Sequence, residues 1–308
     1  MKLVTYNIRY ALGLDGVYNY DRIADAVRDA DIIGLQEVER FWRRSGMVDQ
    51  VEILAEKLKG FYWSFCPAYD MDASERRTDG SILNRRRQFG TMLLSRWPII
   101  SSRAIVLPKL ATLENFNMDT GALECVVDVP SGAVRAYTLH LSAISERERL
   151  LQIDYLLALH RNAHHRGGSW TGTGPVDDPG EYQNYIDMDW SNGEDEPPMP
   201  GKTVVMGDFN MLPVSPEYSR FVGQIDFAYS AHVATADSFV DSWTVAKERG
   251  NDDASSWWPD PPGRLPDRPL RLDYCFLSPD CKSKVKRAWV DHEAIGSDHR
   301  PYWVELSD

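Results

Sequence analysis

Apolar and polar positions along this chain alternate in a way that predicts strands interleaved with helices. Residues 3–6 and 32–35 are short apolar runs typical of buried strands, and residues 19–28 between them carry apolar positions at helical spacing. The order strand, helix, strand is typical of an α/β layer. Residues 121–129 and 134–141 flank a Pro-Ser-Gly turn and predict an antiparallel hairpin, so we expect mixed sheets.

Two further stretches have helical spacing. Asp49 is placed to cap a helix whose apolar face includes Val51, Leu54 and Leu58. Residues 146–160 repeat leucine and isoleucine along one stripe, which predicts a helix that covers the hairpin sheet.

One large domain and two smaller ones are both compatible with a length of 308 residues. We find no internal repeat and no clean linker, so we favour a single catalytic domain over residues 1–308. An irregular acidic and aromatic insertion interrupts it at about residues 164–201. Fully disordered segments are usually poor in aromatic residues, so this composition argues against simple disorder.

Composition narrows the class of protein. The chain is 43% hydrophobic and 26% charged, as expected for a globular protein with a sizeable core. It has no secretory leader pattern and no apolar run near the roughly 20 residues that cross a bilayer, which predicts a cytoplasmic protein. The four cysteines form no CxxC pair, so we interpret them as structural thiols and predict neither a zinc site nor a disulfide framework.

The net charge of -12 repels polyanions over the surface as a whole. Proteins that grip long nucleic acid without sequence preference are more often basic, so the charge argues against a general nuclease. Arginine runs at residues 43–44, 76–77 and 85–87 are local exceptions. They are either solvated loops or anion-binding groups, since a guanidinium fork suits phosphate.

Candidate chemistry lies beside the apolar runs. Glu37 and Asp298 each follow such a run, without a basic neighbour on the same face. An acid at a strand end is ordinarily just solvent-facing, so each is weak evidence alone. Together they offer hard oxygen ligands without a cysteine or histidine pair, which favours Mg²⁺ or Mn²⁺ over zinc.

The segment 207–210 has the sequence Gly-Asp-Phe-Asn. On an extended chain Asp208 and Asn210 face the same side, while Phe209 packs on the other. The pair offers a carboxylate that can orient or deprotonate a water and an amide that can donate to a phosphoryl oxygen. The alternative interpretation is an Asx turn after a strand.

Two histidines are candidates for the same site. His299 adjoins Asp298, so on an extended chain their side chains point to opposite sides. Asp273 is a possible partner for the far ring nitrogen of His299, where a carboxylate would fix the tautomer and raise its basicity. His140 ends an apolar run and is either catalytic or structural.

These segments together resemble the endonuclease/exonuclease/phosphatase superfamily, which includes deoxyribonucleases, sphingomyelinases and inositol polyphosphate phosphatases. The resemblance covers nearly the whole chain and rests on Thr5-Tyr6-Asn7, Leu35-Gln36-Glu37, Thr138-Leu139-His140-Leu141, Gly207-Asp208-Phe209-Asn210, Arg271-Leu272-Asp273-Tyr274 and Ser297-Asp298-His299-Arg300-Pro301.

The resemblance implies an α/β fold built as a four-layer sandwich, with two mixed β-sheets packed face to face and helices on the outside. It also implies one Mg²⁺- or Mn²⁺-dependent site at the sheet edge. By this resemblance Glu37 and Asp298 would bind the metal, with Asn7 nearby, and Asp208 would orient or activate the attacking water.

The remaining roles also come from the resemblance. Asn210 and His140 would stabilise the pentavalent phosphoryl group, and His299, oriented by Asp273, would act as the acid/base or charge-stabilising imidazole. Abasic-site enzymes have a tyrosine at the position of His140, so the chain is more similar to the other branches. Residues 211–213 depart from the continuation expected of inositol phosphatases, and we do not assign that specificity.

The leading hypothesis is therefore a metal-dependent hydrolase of a phosphodiester or phosphomonoester. Its acidic charge and bulky aromatic insertion favour a small-molecule or lipid-linked substrate over long DNA. A nuclease acting on DNA or RNA is the first alternative, and it requires the arginine clusters to flank the site. A catalytically silent binding module is the second.

Overall fold

The computed structural model describes residues 1–172, 195–226, 228, 230–233, 235, 237–260, 262 and 266–307. Most of the insertion predicted at about residues 164–201 therefore lies outside the described residues. Within the described chain, no helix combines the length and apolar character that crossing a membrane requires.

The strands lie in two large sheets and two short ribbons. In chain order they are β1 Lys2–Asn7, β2 Ile32–Arg40, β3 Tyr62–Asp72, β4 Glu75–Arg76, β5 Ile82–Leu83, β6 Arg86–Ser95, β7 Ile99–Val106, β8 Gly121–Val127, β9 Val134–His140, β10 Thr203–Asp208, β11 Gln224–Asp226, β12 Ala231–Val233, β13 Val240–Asp241, β14 Glu248–Arg249, β15 Asp273–Leu277, β16 Val285–Val290 and β17 Tyr302–Leu306.

The described helices are mostly short. They are α1 Tyr20–Val27, α2 Gln50–Lys57, α3 Glu146–Arg161, α4 Ala163–Arg166, α5 Pro216–Val222 and α6 Ser242–Val245, with 3₁₀ turns at Arg9–Ala11 and Pro279–Lys284.

Both large sheets are mixed, as the hairpin pattern predicted. The first has seven strands in the order β14-β16-β17-β1-β2-β6-β3, and the second has six in the order β13-β15-β10-β9-β8-β7. The pairs β1 with β2 and β9 with β10 are parallel, whereas β8 and β9 form the antiparallel hairpin. The carboxyl ends of each parallel pair therefore lie at one edge of their sheet.

Three layers of buried apolar side chains hold the sandwich together. Residues from both sheets, such as Leu3, Ile32, Ala136 and Val204, share one core cluster, which shows that the sheets pack face to face. A second cluster lies between the six-stranded sheet and helices α3 and α5, and a third lies between the seven-stranded sheet and helices α1 and α2. The predicted four-layer α/β sandwich is confirmed.

Polar contacts and close backbone approach also join the two sheets. Gln36 on β2 is fully buried and donates from Nε2 to the Thr138 hydroxyl on β9 at 2.8 Å. A Cβ added at Gly34 would lie 2.8 Å from the same hydroxyl oxygen, so only glycine permits this approach. These contacts lie just below the edge where the candidate residues gather.

Local signals predicted most of these elements correctly. The Asn19 side chain caps α1 by accepting from the Arg22 amide, and Asp49 caps α2 in the same way. We expected the run at residues 295–297 before Asp298 to be a buried strand. This prediction was wrong, because residues 295–298 form a loop. Gly296 in this loop packs so closely on Tyr6 that a Cβ would lie 2.9 Å from the Tyr6 hydroxyl oxygen.

Candidate active site

The candidate residues gather at one edge of the sandwich. Asn7 ends β1, His140 ends β9 and Asp208 ends β10, so the parallel pairs of the two sheets deliver polar side chains to the same place. A cavity of about 640 Å³ opens there, and its lining includes Glu37, Asn210, Asp298 and His299. This edge brings together residues that are up to 292 positions apart in sequence.

Asn7 lies at the centre of this arrangement and is fully buried. Its Nδ2 donates to Glu37 Oε1 at 3.1 Å and to Asp208 Oδ2 at 2.9 Å, and it lies 3.4 Å from His299 Nε2. Its Oδ1 accepts the Arg9 backbone amide at 3.0 Å. In this geometry Asn7 donates to two carboxylates and contacts the His299 ring, and its side-chain oxygen, which would bind a metal, is already hydrogen-bonded.

Glu37 has a strained backbone. The sequence predicted it at a strand end, but it lies inside β2, at a bulge against β6 between Leu35 and Val38. Its φ is 59°, a left-handed value that costs a residue with a Cβ roughly 1 kcal/mol or more. Bulges near active sites commonly redirect a side chain, and this one turns the Glu37 carboxylate into the cavity.

Asp208 and Asn210 both line the cavity, but not as neighbours on an extended chain. β10 ends at Asp208, and Asn210 has a left-handed φ of 48°. Asp208 Oδ1 accepts the Asn210 amide at 2.9 Å, which is the Asx turn that the sequence left open. The Asn210 Nδ2 donates to the Leu141 carbonyl at 3.0 Å, and Phe209 packs into the core.

Gly207 allows the close approach of β9 and β10 just before Asp208. A Cβ at this position would lie 2.0 Å from the carbonyl oxygen of Leu139. No real Cβ contact is that short, so the glycine fixes how near Asp208 comes to His140. The two side chains are 3.4 Å apart, measured from His140 Nε2 to Asp208 Oδ2.

His299 lies between two carboxylates. Its Nδ1 is 2.8 Å from Asp273 Oδ2, and its Nε2 is 3.6 Å from Asp208 Oδ2. Burial of the ring opposes protonation, but the charges of Asp273, Asp208 and Asp298 outweigh it and raise the pKa of His299. The imidazole is therefore held as a proton donor with its orientation fixed.

Asp273 is itself positioned by Ser256. The Ser256 hydroxyl donates to Asp273 Oδ2 at 2.7 Å and accepts the backbone amides of Leu272 and Asp273. Asp273 Oδ1 is buried and has no hydrogen-bond partner among the described residues. A chain of hydrogen bonds thus runs from Ser256 through Asp273 to His299.

Asp298 reaches the cavity from the loop before β17. Its Oδ2 accepts the indole N–H of Trp257 at 3.3 Å, and its Oδ1 lies 3.9 Å from Arg9 Nε. Arg9 also forms an ion pair with Asp260. Asp298 is buried and lines the same cavity as Glu37.

The donor set suits a hard divalent cation. Glu37, Asp208 and Asp298 supply carboxylate oxygens, and no thiol lines the cavity within the described chain. Glu37 accepts only the Asn7 amide and forms no ion pair with a described residue. A further group, Asp208, Asp273 and His299, places its ligand atoms within 4.8 Å of one another and could also bind a metal.

Several residues that shape the site have no sequence signal that singles them out. Ser256 contacts Asp273 and Trp257 contacts Asp298, and both come from the irregular stretch between β14 and β15. Arg149 on α3 lines the cavity and is held by Glu217 at 2.7 Å. The positions of these residues depend on tertiary contacts. Arg9 also shapes the site through Asp260 and Asp298, and its sequence signal is its position two residues after Asn7.

Structural comparisons give similar folds at low identity. An endonuclease/exonuclease/phosphatase from Beutenbergia cavernae is 21% identical with a TM-score of 0.61, and the alignment covers 100% of this chain and 72% of that one. The mannosyl-6-phosphatase of Bacteroides thetaiotaomicron is 18% identical, with a TM-score of 0.60 and full coverage of both chains. Truncated TDP2 from Caenorhabditis elegans is 13% identical with a TM-score of 0.57, covering 99% and 97%. The search of curated protein sequences found no match.

A four-layer sandwich with acids and imidazoles at one sheet edge defines a class of α/β proteins with a hydrolase-like site. Residues 4–299 match the profile described as the Endonuclease/Exonuclease/phosphatase family. The chain belongs to this family, whose members are hydrolases that act on phosphoesters. The resemblance noted in the sequence is thereby confirmed.

Proposed function

We propose that this protein is a Mg²⁺- or Mn²⁺-dependent phosphoesterase that hydrolyses a phosphodiester or phosphomonoester by in-line attack of water. The observation that carries the proposal is the Asn7 amide, whose Nδ2 donates to Glu37 and Asp208 and lies 3.4 Å from His299 Nε2. A predicted metal ligand, a predicted base and a predicted acid therefore lie around one buried amide group.

Glu37 and Asp298 would hold the ion, with Asn7 beside them. A bound divalent cation would polarise a phosphoryl oxygen and neutralise developing charge. The strained φ of 59° at Glu37 supports this role, because strain persists where surrounding structure fixes a functional geometry. The absence of an ion pair to Glu37 within the described residues leaves its charge available to a cation.

Asp208 is the group that we assign to the attacking water. One of its oxygens is occupied by the Asn210 amide, and the other faces Asn7, His140 and His299. A carboxylate fixed in this way can orient a water and accept its proton. His140 and the Asn210 side chain, on the same wall of the cavity, can donate to the phosphoryl oxygens.

His299 is the group that we assign to proton donation. Its raised pKa keeps the ring protonated near neutral pH, and Asp273 on Nδ1 directs Nε2 into the cavity. A protonated imidazole there can stabilise the charge that develops in the transition state or protonate a leaving oxygen. Asp273 acts through His299 and is a positioning residue.

We favour a small or lipid-linked substrate. A cavity of about 640 Å³ has the size of a small-molecule site, and the net charge of -12 opposes long polyanions. A protein of this fold is named as a mannosyl-6-phosphatase, which supports a phosphorylated small molecule as the substrate. We also infer a single catalytic domain over residues 1–308 from the profile match that spans nearly all of it.

The test compares the hydrolysis of bis(4-nitrophenyl) phosphate and 4-nitrophenyl phosphate with Mg²⁺, with Mn²⁺ and after chelation. We expect the metal to support cleavage, and we expect Asp208→Ala and His299→Ala to abolish it. Asp237→Ala is the matched control, because this exposed carboxylate pairs with Arg161 away from the cavity. Activity that survives both active-site substitutions in folded protein would contradict the assigned roles.

Calorimetry with Mg²⁺ separates the enzyme from a silent binding module. The enzyme predicts one saturable site that Glu37→Gln weakens, whereas the binding module predicts no saturable site. The nuclease alternative is supported by one observation, since Arg44 from the first arginine run lines the cavity. Cleavage of a plasmid or a single-stranded oligonucleotide, with steep loss of binding as salt rises, would favour it.

A further inference from the structure

A second cavity adjoins the candidate active site. It has a volume of about 340 Å³ and is lined by Trp42, Arg43, Arg44 and Arg87. Arg44 also lines the larger cavity, so the two spaces meet at its side chain. We refer to these four residues as the arginine shelf. The shelf was not part of the chemistry inferred from the metal and imidazole motifs.

Charge pairing distinguishes Arg43 and Arg87 from the other arginines of their two runs. Six arginines occupy positions 40–44 and 85–87, and four of them pair with a carboxylate: Arg40 with Asp49, Arg44 with Glu39, Arg85 with Glu75 and Arg86 with Asp70. Within the described chain, Arg43 and Arg87 form no ion pair, and both line the second cavity. Of these six arginines, the two without a carboxylate partner are thus next to the active site, in a protein whose net charge is -12.

The shelf is also rigidly built. The Arg44 guanidinium lies 4.1 Å from the Tyr10 ring centre and 4.7 Å from that of Trp42. It pairs with Glu39, whose side chain has 0% exposure. The Trp42 indole donates to the Gln88 carbonyl at 2.7 Å, which fixes the ring. Arg44 and Trp42 therefore form a fixed surface that lines the second cavity together with Arg43 and Arg87.

A chain of aromatic rings connects the shelf to the catalytic groups. The Trp42 ring centre lies 6.2 Å from that of Phe89, and Phe89 lies 6.4 Å from that of His140. Phe89 and His140 line the larger cavity, and Trp42 lines the second one. An anionic group on the substrate can therefore lie on the shelf while another lies beside His140.

We propose that the arginine shelf binds a second phosphate group of the substrate, and that the preferred substrate is a phosphoester that carries more than one phosphate. This inference rests on the proposed function, because the first phosphate is the one that is hydrolysed. Guanidinium groups bind phosphate with paired, charge-assisted hydrogen bonds. The second phosphate can belong to a bisphosphorylated small molecule or to the neighbouring linkage of an oligonucleotide.

The experiment measures kcat/KM for two matched pairs of substrates. One pair is fructose 1,6-bisphosphate and fructose 6-phosphate. The other is the dinucleotide pdTpdT and dTpdT, which lacks the 5′-phosphate but keeps the phosphate between the two nucleosides. We expect at least one two-phosphate member to be the better substrate, and which pair shows the preference identifies the source of the second phosphate. In Arg43→Gln/Arg87→Gln that preference should fall by about tenfold or more, mainly through KM.

The control variant is Arg28→Gln/Arg220→Gln, which removes two exposed arginines, each about half exposed, from surface ion pairs elsewhere. It should keep the preference of the wild type. The preference should also weaken as ionic strength rises, because the shelf arginines are partly exposed. An unchanged preference in the shelf variant, with hydrolysis intact, would overturn the shelf and leave the proposed function standing.

A binding measurement keeps the two proposals separable if no ester is hydrolysed. Calorimetry with inorganic pyrophosphate and with inorganic phosphate uses both variants and the wild type. Tighter binding of pyrophosphate than of phosphate, lost only in Arg43→Gln/Arg87→Gln, supports the shelf even for an inactive protein. Equal affinities for the two anions in the wild type, or a preference that survives in the shelf variant, would refute it.

Discussion

Replacing Asp273 with asparagine tests the imidazole with almost no change in shape. The substitution removes the negative charge 2.8 Å from His299 Nδ1 and keeps the size of the side chain. His299 then loses the negative charge that contributes most to raising its pKa. Loss of a positioned acid or base typically lowers a rate by about 10²–10⁴-fold, so we expect kcat to fall by that factor.

The structure also predicts a cost in stability. Asparagine would place its oxygen at the Oδ2 position, where Ser256 and His299 donate, and its NH₂ at the Oδ1 position, which is buried without a partner among the described residues. An unsatisfied buried donor costs about 1–3 kcal/mol, so the free energy of unfolding should fall by that amount. The variant should still fold, which keeps its kinetics interpretable.

The assay is the pH–rate profile of phosphoester hydrolysis, together with urea unfolding. If His299 must be protonated, activity falls as pH rises through its pKa, which is raised in the wild type. Asp273→Asn lowers that pKa, so the falling limb should move to lower pH. Ser256→Ala is the control: it keeps the Asp273 charge and should change kcat by less than about tenfold. If folded Asp273→Asn has the same kcat and the same pH–rate profile as the wild type, the role assigned to His299 is refuted.

Two other predictions concern stability. Gly207→Ala puts a Cβ 2.0 Å from the Leu139 carbonyl oxygen, so overpacking should lower the free energy of unfolding by about 1–3 kcal/mol. It should also reduce activity, because Asp208 is displaced. Urea unfolding that shows the same stability as the wild type would contradict this prediction. Burial and Arg135 lower the pKa of His160 to about 4, so its neutral form stabilises the fold fully above pH ~6.5, and this contribution is lost as pH falls toward 4. His160→Gln should therefore lose less stability than the wild type between pH 7 and 4.5, by about 1–2 kcal/mol after allowance for its partial exposure, and an equal loss would refute the assignment.

The apolar pattern alone determined much of the fold. Buried strands and amphipathic helices have local signatures, so α1, α2 and α3 and the inner strands of both sheets follow from spacing and capping residues. The polar residue at the end of each inner strand was also readable, because a buried strand becomes polar where it leaves the core. Asn7, His140 and Asp208 all end their strands as predicted.

Only the tertiary structure decided how these groups meet. No local rule could place Glu37 at a left-handed bulge or Asp298 in a loop held by Trp257, since both depend on strands and loops distant in sequence. The same holds for the arginine shelf. From the sequence alone, its arginine runs were equally compatible with solvated loops and with anion-binding groups. Pairing removed four arginines from consideration and left Arg43 and Arg87 beside the cavity. Sequence sets which groups are present, whereas long-range packing sets their distances, and chemistry depends on the distances.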